Sequence, residues 1–221
     1  MKKTTTILCL GIALCMLGCS DDDDQVTTTS TVPFSLTASL SPRSSDAEDT
    51  GILQGNWDAN SQLAVIKTGS SGVPKSILTR KTDSSDTFTG NLSTLVKNEN
   101  EIAVFYPAAA ITANSSDTLT QTLNLSGQDG TLAGITNYDY LWAQCKAGMN
   151  ETTGSSACEM TSLVTIGKFQ FTVNGGSPLN NITRITITAT AGTLYSSAVM
   201  KLKNGEFSST QTGNITIKNK A

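Results

Sequence analysis

Histidine is absent from all 221 residues, and that absence narrows the available chemistry more than any motif does. Ser-His-Asp and Cys-His nucleophilic catalysis are excluded, as are metal sites built on imidazole. Paired carboxylates are the acid–base chemistry that remains. The candidates are Asp83 with Asp86, Glu99 with Glu101, and Asp46 with Glu48 and Asp49. All lie in polar, loop-like sequence, where a solvated surface is the ordinary role of such residues. None of the Asp-rich stretches has the spacing and glycine of an EF-hand calcium loop. The chain is therefore read as no enzyme, with no cofactor and no metal. A different chemistry is offered by Tyr138, Tyr140 and Trp142, which fall on one face if their segment is extended. Such a stripe suits stacking on the flat faces of sugar rings and so glycan binding, with core packing as the competing role.

Cys19 bears on where the chain works. Lys2 and Lys3 precede an apolar run from Ile7 to Leu17, which is 11 residues long against the ~20 that a helix needs to cross a bilayer. Residues 1–18 are accordingly read as a cleaved export signal. The Gly18-Cys19 junction is where a bacterial lipoprotein peptidase would cut, leaving a lipidated Cys19 as the new N-terminus; a plain secretory signal with an incidental cysteine is the alternative. Removal of the signal leaves 203 residues, enough for one large or two small domains. It also leaves 13 basic against 18 acidic side chains, a net charge of −5. Mild acidity without a basic cluster argues against nucleic acid as a partner. Cys9 and Cys15 leave with the signal, so Cys145 and Cys158 are the cysteines of the folded body. In an oxidising compartment they can pair, a loop of that size contributing roughly 3 kcal/mol in the chain-entropy treatment. Gly148 and Gly154 would let the segment turn back; two buried or idle thiols are the alternative.

These groups must be positioned by strands. Residues 19–32, with Asp21 to Asp24 at their head, form a polar tether too hydrophilic to bury anything. Beyond it Phe34, Leu36, Ala38 and Leu40 alternate with Ser and Thr, the period of a half-buried strand. Similar short stretches recur at Leu63–Ile66, Glu101–Tyr106, Leu119–Leu125, Leu163–Val173 and Ile182–Thr190, separated by turn formers such as Asn174-Gly175-Gly176 and Asn204-Gly205. Ile185, Ile187 and Ala189 point one way and Arg184, Thr186 and Thr188 to water, which favours antiparallel pairing. The expectation is an all-β, antiparallel Greek-key β-sandwich over residues 33–190, followed by further strands in 191–221.

The order of several motifs resembles the fimbrillin-like surface lipoproteins of Bacteroidales. Phe34-Ser-Leu, then Arg43, then Trp57-Asp58 ahead of Leu63-Ala-Val-Ile66, is similar to the start of that family. So are Phe88-Thr-Gly-Asn-Leu92, Ala103-Val-Phe-Tyr-Pro107 and Asp139-Tyr-Leu-Trp-Ala143 further on. Phe169-Gln-Phe171 followed by Ile182 to Ile187 resembles the family's closing hairpin, and the acidic run after Cys19 resembles a surface-export signal. Ala59-Asn60-Ser61-Gln62 stands where the family usually has Gly-Asp after the tryptophan.

The resemblance implies a pilus subunit or accessory component anchored in the outer membrane, exposed on the cell surface, and assembled with other fimbrial subunits. An arginine-specific protease would cut after Arg43, the one basic residue between Cys19 and Lys67. Its cut would detach the strand Phe34, Leu36, Ala38, Leu40, and a neighbouring subunit's strand would fill the groove by β-augmentation. An ordinary exposed arginine is the alternative. Host or bacterial surface ligands are further partners of such adhesins. Family members continue past the position of Ala221, so residues 191–221 are expected to begin an incomplete second lobe.

Overall fold

The computed structural model describes residues 30–40, 57–69, 72–84, 86–111, 120–129, 134, 137–164, 171–172, 176, 182–191 and 194–218. Among the described residues thirteen strands are formed: β1 (Thr31–Leu40), β2 (Gln62–Lys67), β3 (Ser76–Arg80), β4 (Thr87–Ser93), β5 (Glu101–Tyr106), β6 (Thr120–Asn124), β7 (Leu141–Lys146), β8 (Gly148–Met149), β9 (Gly154–Ser162), β10 (Arg184–Ile187), β11 (Tyr195–Lys201), β12 (Phe207–Thr212) and β13 (Ile215–Lys218). The fold is all-β, relieved by a short 3-10 turn at Ala108–Ala110. Among the described residues no helix is long and apolar enough to cross a membrane.

The main sheet runs β1-β4-β3-β2-β5-β7-β9, with β8 beyond β9, and β1 pairs with β9 as well as with β4. Seven strands therefore close into a barrel-like ring, where two facing sheets of a Greek-key sandwich were expected. The physical reason lies in one pairing. β1 and β9 run parallel, Phe34 opposite Gly154 through Leu40 opposite Met160. That ladder joins two margins which would otherwise stay free. The other contacts around the ring are antiparallel.

Side-chain period decides which faces are covered. β1 alternates strictly, with Val32, Phe34, Leu36 and Ala38 inward and Thr31, Pro33, Thr37 and Ser39 outward. β2 and β5 instead bury four consecutive residues each, Leu63–Ile66 and Ile102–Phe105. Their inward set (Leu63, Val65, Ile102, Val104) joins Phe34, Leu36, Phe88 and Met160 in the ring's core. Their outward set (Ala64, Ile66, Ala103, Phe105) meets Leu123, Tyr140, Met200 and Leu202 in a second core on the outside of the wall. Continuous apolar runs thus mark the arc of wall covered on both faces, and alternating runs the arc that faces water.

The outer cover comes from the three-stranded sheet β12-β11-β6. Strands do form within residues 191–221, and β11 with the turn after it brings Met200 and Leu202 onto the ring. β10 pairs with β13, Ile185 opposite Ile217, and the expected hairpin with Phe169-Gln-Phe171 falls largely outside the described residues. Phe169 lies outside the described residues, and Phe171 is 40% exposed.

Candidate functional site

β1 occupies a slot between β4 and β9, and the slot is built to its side chains. Phe34 stands opposite Gly90 on β4 and Gly154 on β9. A Cβ at Gly154 would come within 2.6 Å of the Phe34 ring, and one at Gly90 within 2.6 Å of the Ile77 carbonyl oxygen. The missing side chain of Gly154 leaves space that the phenyl ring shares with Met149, the space over Gly90 is taken by Leu78, and Phe34 is 2% exposed. Leu36 and Ala38 below it are fully buried. Backbone groups fix the ends: Thr94 N donates to Ser30 O at 2.9 Å and Ala38 N to Asp86 O at 2.8 Å. The buried Trp57 indole donates to Ala38 O at 2.7 Å, and its ring meets Phe88 edge-on with centroids 5.0 Å apart. Of the expected exchangeable strand, Phe34, Leu36 and Ala38 are therefore core residues, and Leu40 is half-buried against the same cluster. Cys19 and Arg43 lie outside the described residues.

Cys145 and Cys158 are brought together, both half-buried and carrying free thiols. They pack against the ring's core, with Ala38 next to Cys158 in the β1–β9 register. Hydrogen bonding from the neighbouring Cys158 thiol pulls Cys145 down to about 7, helped by the Ser156 hydroxyl, while Cys158 is pushed up. Gly148 and Gly154, expected to let the chain turn, sit in strands instead. The turn is made by Asn150 to Thr153, with Asn150 N donating to Thr153 O at 2.9 Å.

The aromatic trio does not make an open platform. Tyr138 and Tyr140 precede β7 rather than extending it. Tyr140 is 7% exposed, its hydroxyl donating to Asn124 O at 3.1 Å. The Trp142 indole packs against the outer core and is overlaid by Gly205, whose missing Cβ would lie 2.6 Å from the ring. Gly205 has φ 70°, the left-handed conformation that glycine adopts at no steric cost. Period alone placed these rings on one face; it carried no signal that β11 and β12 cover it.

The carboxylates are in surface pairs. Lys81 lies 3.0 Å from Asp83 and holds its carboxyl below the usual range, chiefly by hydrogen bonding. Lys146 lies 3.2 Å from Glu99, and Gln144 donates to Glu101 at 3.1 Å. Asp46, Glu48 and Asp49 lie outside the described residues. That Gly90 and Gly154 are the cross-strand partners of Phe34 is what sequence reasoning missed. Phe88-Thr-Gly-Asn-Leu92 carried the only local hint, a glycine inside a strand pattern.

A crystal structure of a protein from Bacteroides ovatus, described as a candidate cell adhesion protein, superposes on this chain with a TM-score of 0.51 at 15% sequence identity, covering 85% of this chain and 72% of that one. The likeness is one of fold. No protein-family model matches the chain, and no curated protein matches it.

Proposed function

We propose that this chain is a surface-displayed, lipid-anchored adhesion protein of the fimbrial type, whose working site is the slot now filled by β1. The observation that carries the reading is the fit of Phe34 between Gly90 and Gly154 in the strand that closes the ring. With β1 in place β4 and β9 are both paired along the slot, so exchange there requires that β1 first be cut free. Arg43, three residues after the strand ends, is where a trypsin-like enzyme would cut. Loss of β1 would leave unpaired backbone along β4 and β9 and an empty apolar cleft between them. A neighbouring subunit's strand with an aromatic residue at the Phe34 position and small or aliphatic residues at alternate positions answers both needs at once: main-chain hydrogen bonds supply affinity and the pockets supply selectivity. Lipidation at Cys19 would hold uncut molecules at the outer membrane until assembly.

N-terminal sequencing of the chain recovered from cells and from sheared surface material tests the reading. A start at Ser44 in the sheared fraction supports strand loss before assembly. A start at Cys19 in every fraction removes the exchange step and leaves an anchored adhesion protein.

A further inference from the structure

The β7–β9 hairpin has one feature that strand exchange does not call on. Its backbone ladder forms at both ends, with Leu141 opposite Ser162 and Trp142 opposite Thr161 at one, and Gly148 opposite Ser155 and Met149 opposite Gly154 at the other. Both ends keep the same register: counting inward from Trp142–Thr161, the third pair is Cys145–Cys158. Leu163 N donates to Tyr140 O at 2.8 Å and Asn150 N to Thr153 O at 2.9 Å, so the hydrogen-bonded pairs fall at even-numbered positions of the first arm. If the ladder ran on between its two ends, Cys145 and Cys158 would face each other at a non-hydrogen-bonded position, where the side chains of an antiparallel pair lie closest. Pairs at such positions have Cα atoms about 4.5 Å apart, within the range a disulfide spans.

Between the two laddered ends the arms are joined by side chains instead. The Ser156 hydroxyl donates to Lys146 O at 2.7 Å and lies 3.3 Å from the Cys145 sulfur. Both cysteines face the same, inner side of the wall. β9 is moreover one wall of the β1 slot, and Cys158 sits opposite Ala38 across that wall's ladder.

We propose that Cys145 and Cys158 form a cross-strand disulfide that staples the unladdered stretch of β7 and β9 and so fixes one wall of the slot. The oxidant is a disulfide, protein-borne or small, of the compartment the chain is exported to. The Cys145 thiolate attacks one sulfur of the oxidant; a Cys145–oxidant bond forms, the oxidant's own S–S bond breaks, and one thiolate leaves. The Cys158 thiol gives up its proton, its sulfur attacks the Cys145 sulfur, and the second thiolate leaves. Two electrons pass from the cysteine pair to the oxidant, and the two thiol protons end on its two leaving thiolates. Hydrogen bonding from Cys158 and Ser156 favours the Cys145 thiolate, which makes Cys145 the attacking group. The value of such a staple to an emptied slot rests on the strand-exchange reading; the bond itself does not.

Cleavage after Lys146 places the two cysteines on separate peptides, so the bond has a direct signature. The full chain recovered from an exporting cell is alkylated without reductant, digested and weighed. A cross-linked pair of peptides that disappears on reduction is expected, with under a tenth of either cysteine alkylated. Full alkylation of both without reduction overturns the bond. Hydrogen exchange on the same chain with and without reductant then tests the staple: residues 143–147 and 156–160 should exchange at least tenfold faster when reduced, and equal rates overturn that role. Neither readout involves Arg43, so a chain that is never cut refutes exchange while leaving the disulfide to be judged on its own.

Discussion

Replacing Phe34 by alanine is the sharpest perturbation of the slot. The ring is 2% exposed, and its neighbours on both flanking strands are glycines, which have no side chain to lean into the space it leaves. Phe→Ala in a core costs about 3–5 kcal/mol, the larger losses falling where the surroundings cannot collapse. This site belongs near the upper end, and against a typical domain stability of about 5–15 kcal/mol such a loss is a large fraction of the whole. Equilibrium unfolding in urea, followed by tryptophan fluorescence, measures it. Trp57 is a local reporter because its indole donates to the Ala38 carbonyl of β1 itself. A loss below about 1 kcal/mol, with the midpoint barely moved, would mean that β1 does not hold the ring closed and would refute the reasoning.

Four further outcomes follow from the same contacts. Gly154→Ala should destabilise by about 1–3 kcal/mol, because its Cβ collides with the Phe34 ring, and Phe34→Ala should partly relieve that clash in the double variant. Trp57→Phe leaves the Ala38 carbonyl without its buried donor and should cost about 1–3 kcal/mol by the same unfolding assay. Trp142→Ala should lower stability, as loss of an aromatic packed on the outer core, and leave polysaccharide retention of the chain unchanged; loss of retention would revive the glycan reading. In the reduced chain, Cys145 should react with iodoacetamide at a rate that rises through a midpoint near pH 7. Its folded thiol is lowered, so the reactive thiolate is already present above that pH while Cys158 stays slow.

β1 was legible from the sequence because its alternation is local: Phe34, Leu36 and Ala38 recur every second residue, and period 2 states which face is buried. The doubly covered arc was legible in the same way, through the unbroken runs Leu63–Ile66 and Ile102–Phe105. Ring closure was not. A parallel pair between β1 and β9 joins segments about 120 residues apart, and no turn chemistry announces it. The pairing of β10 with β13 is likewise a tertiary matter that Ile185 and Ile187 alone cannot encode. Tyr140 and Trp142 show the remaining limit: sequence period puts them on a face, and only the arrival of Met200, Leu202 and Gly205 decides that the face is covered.

An emptied β1 slot should bind a strand. A chain cut after Arg43 and mixed with a labelled peptide of residues 31–40 measures this directly. Uptake of one peptide per chain, abolished when the peptide carries Phe34→Asp, is the predicted result. A cut chain that keeps its fold and takes up no peptide, however long the mixture stands, would contradict it.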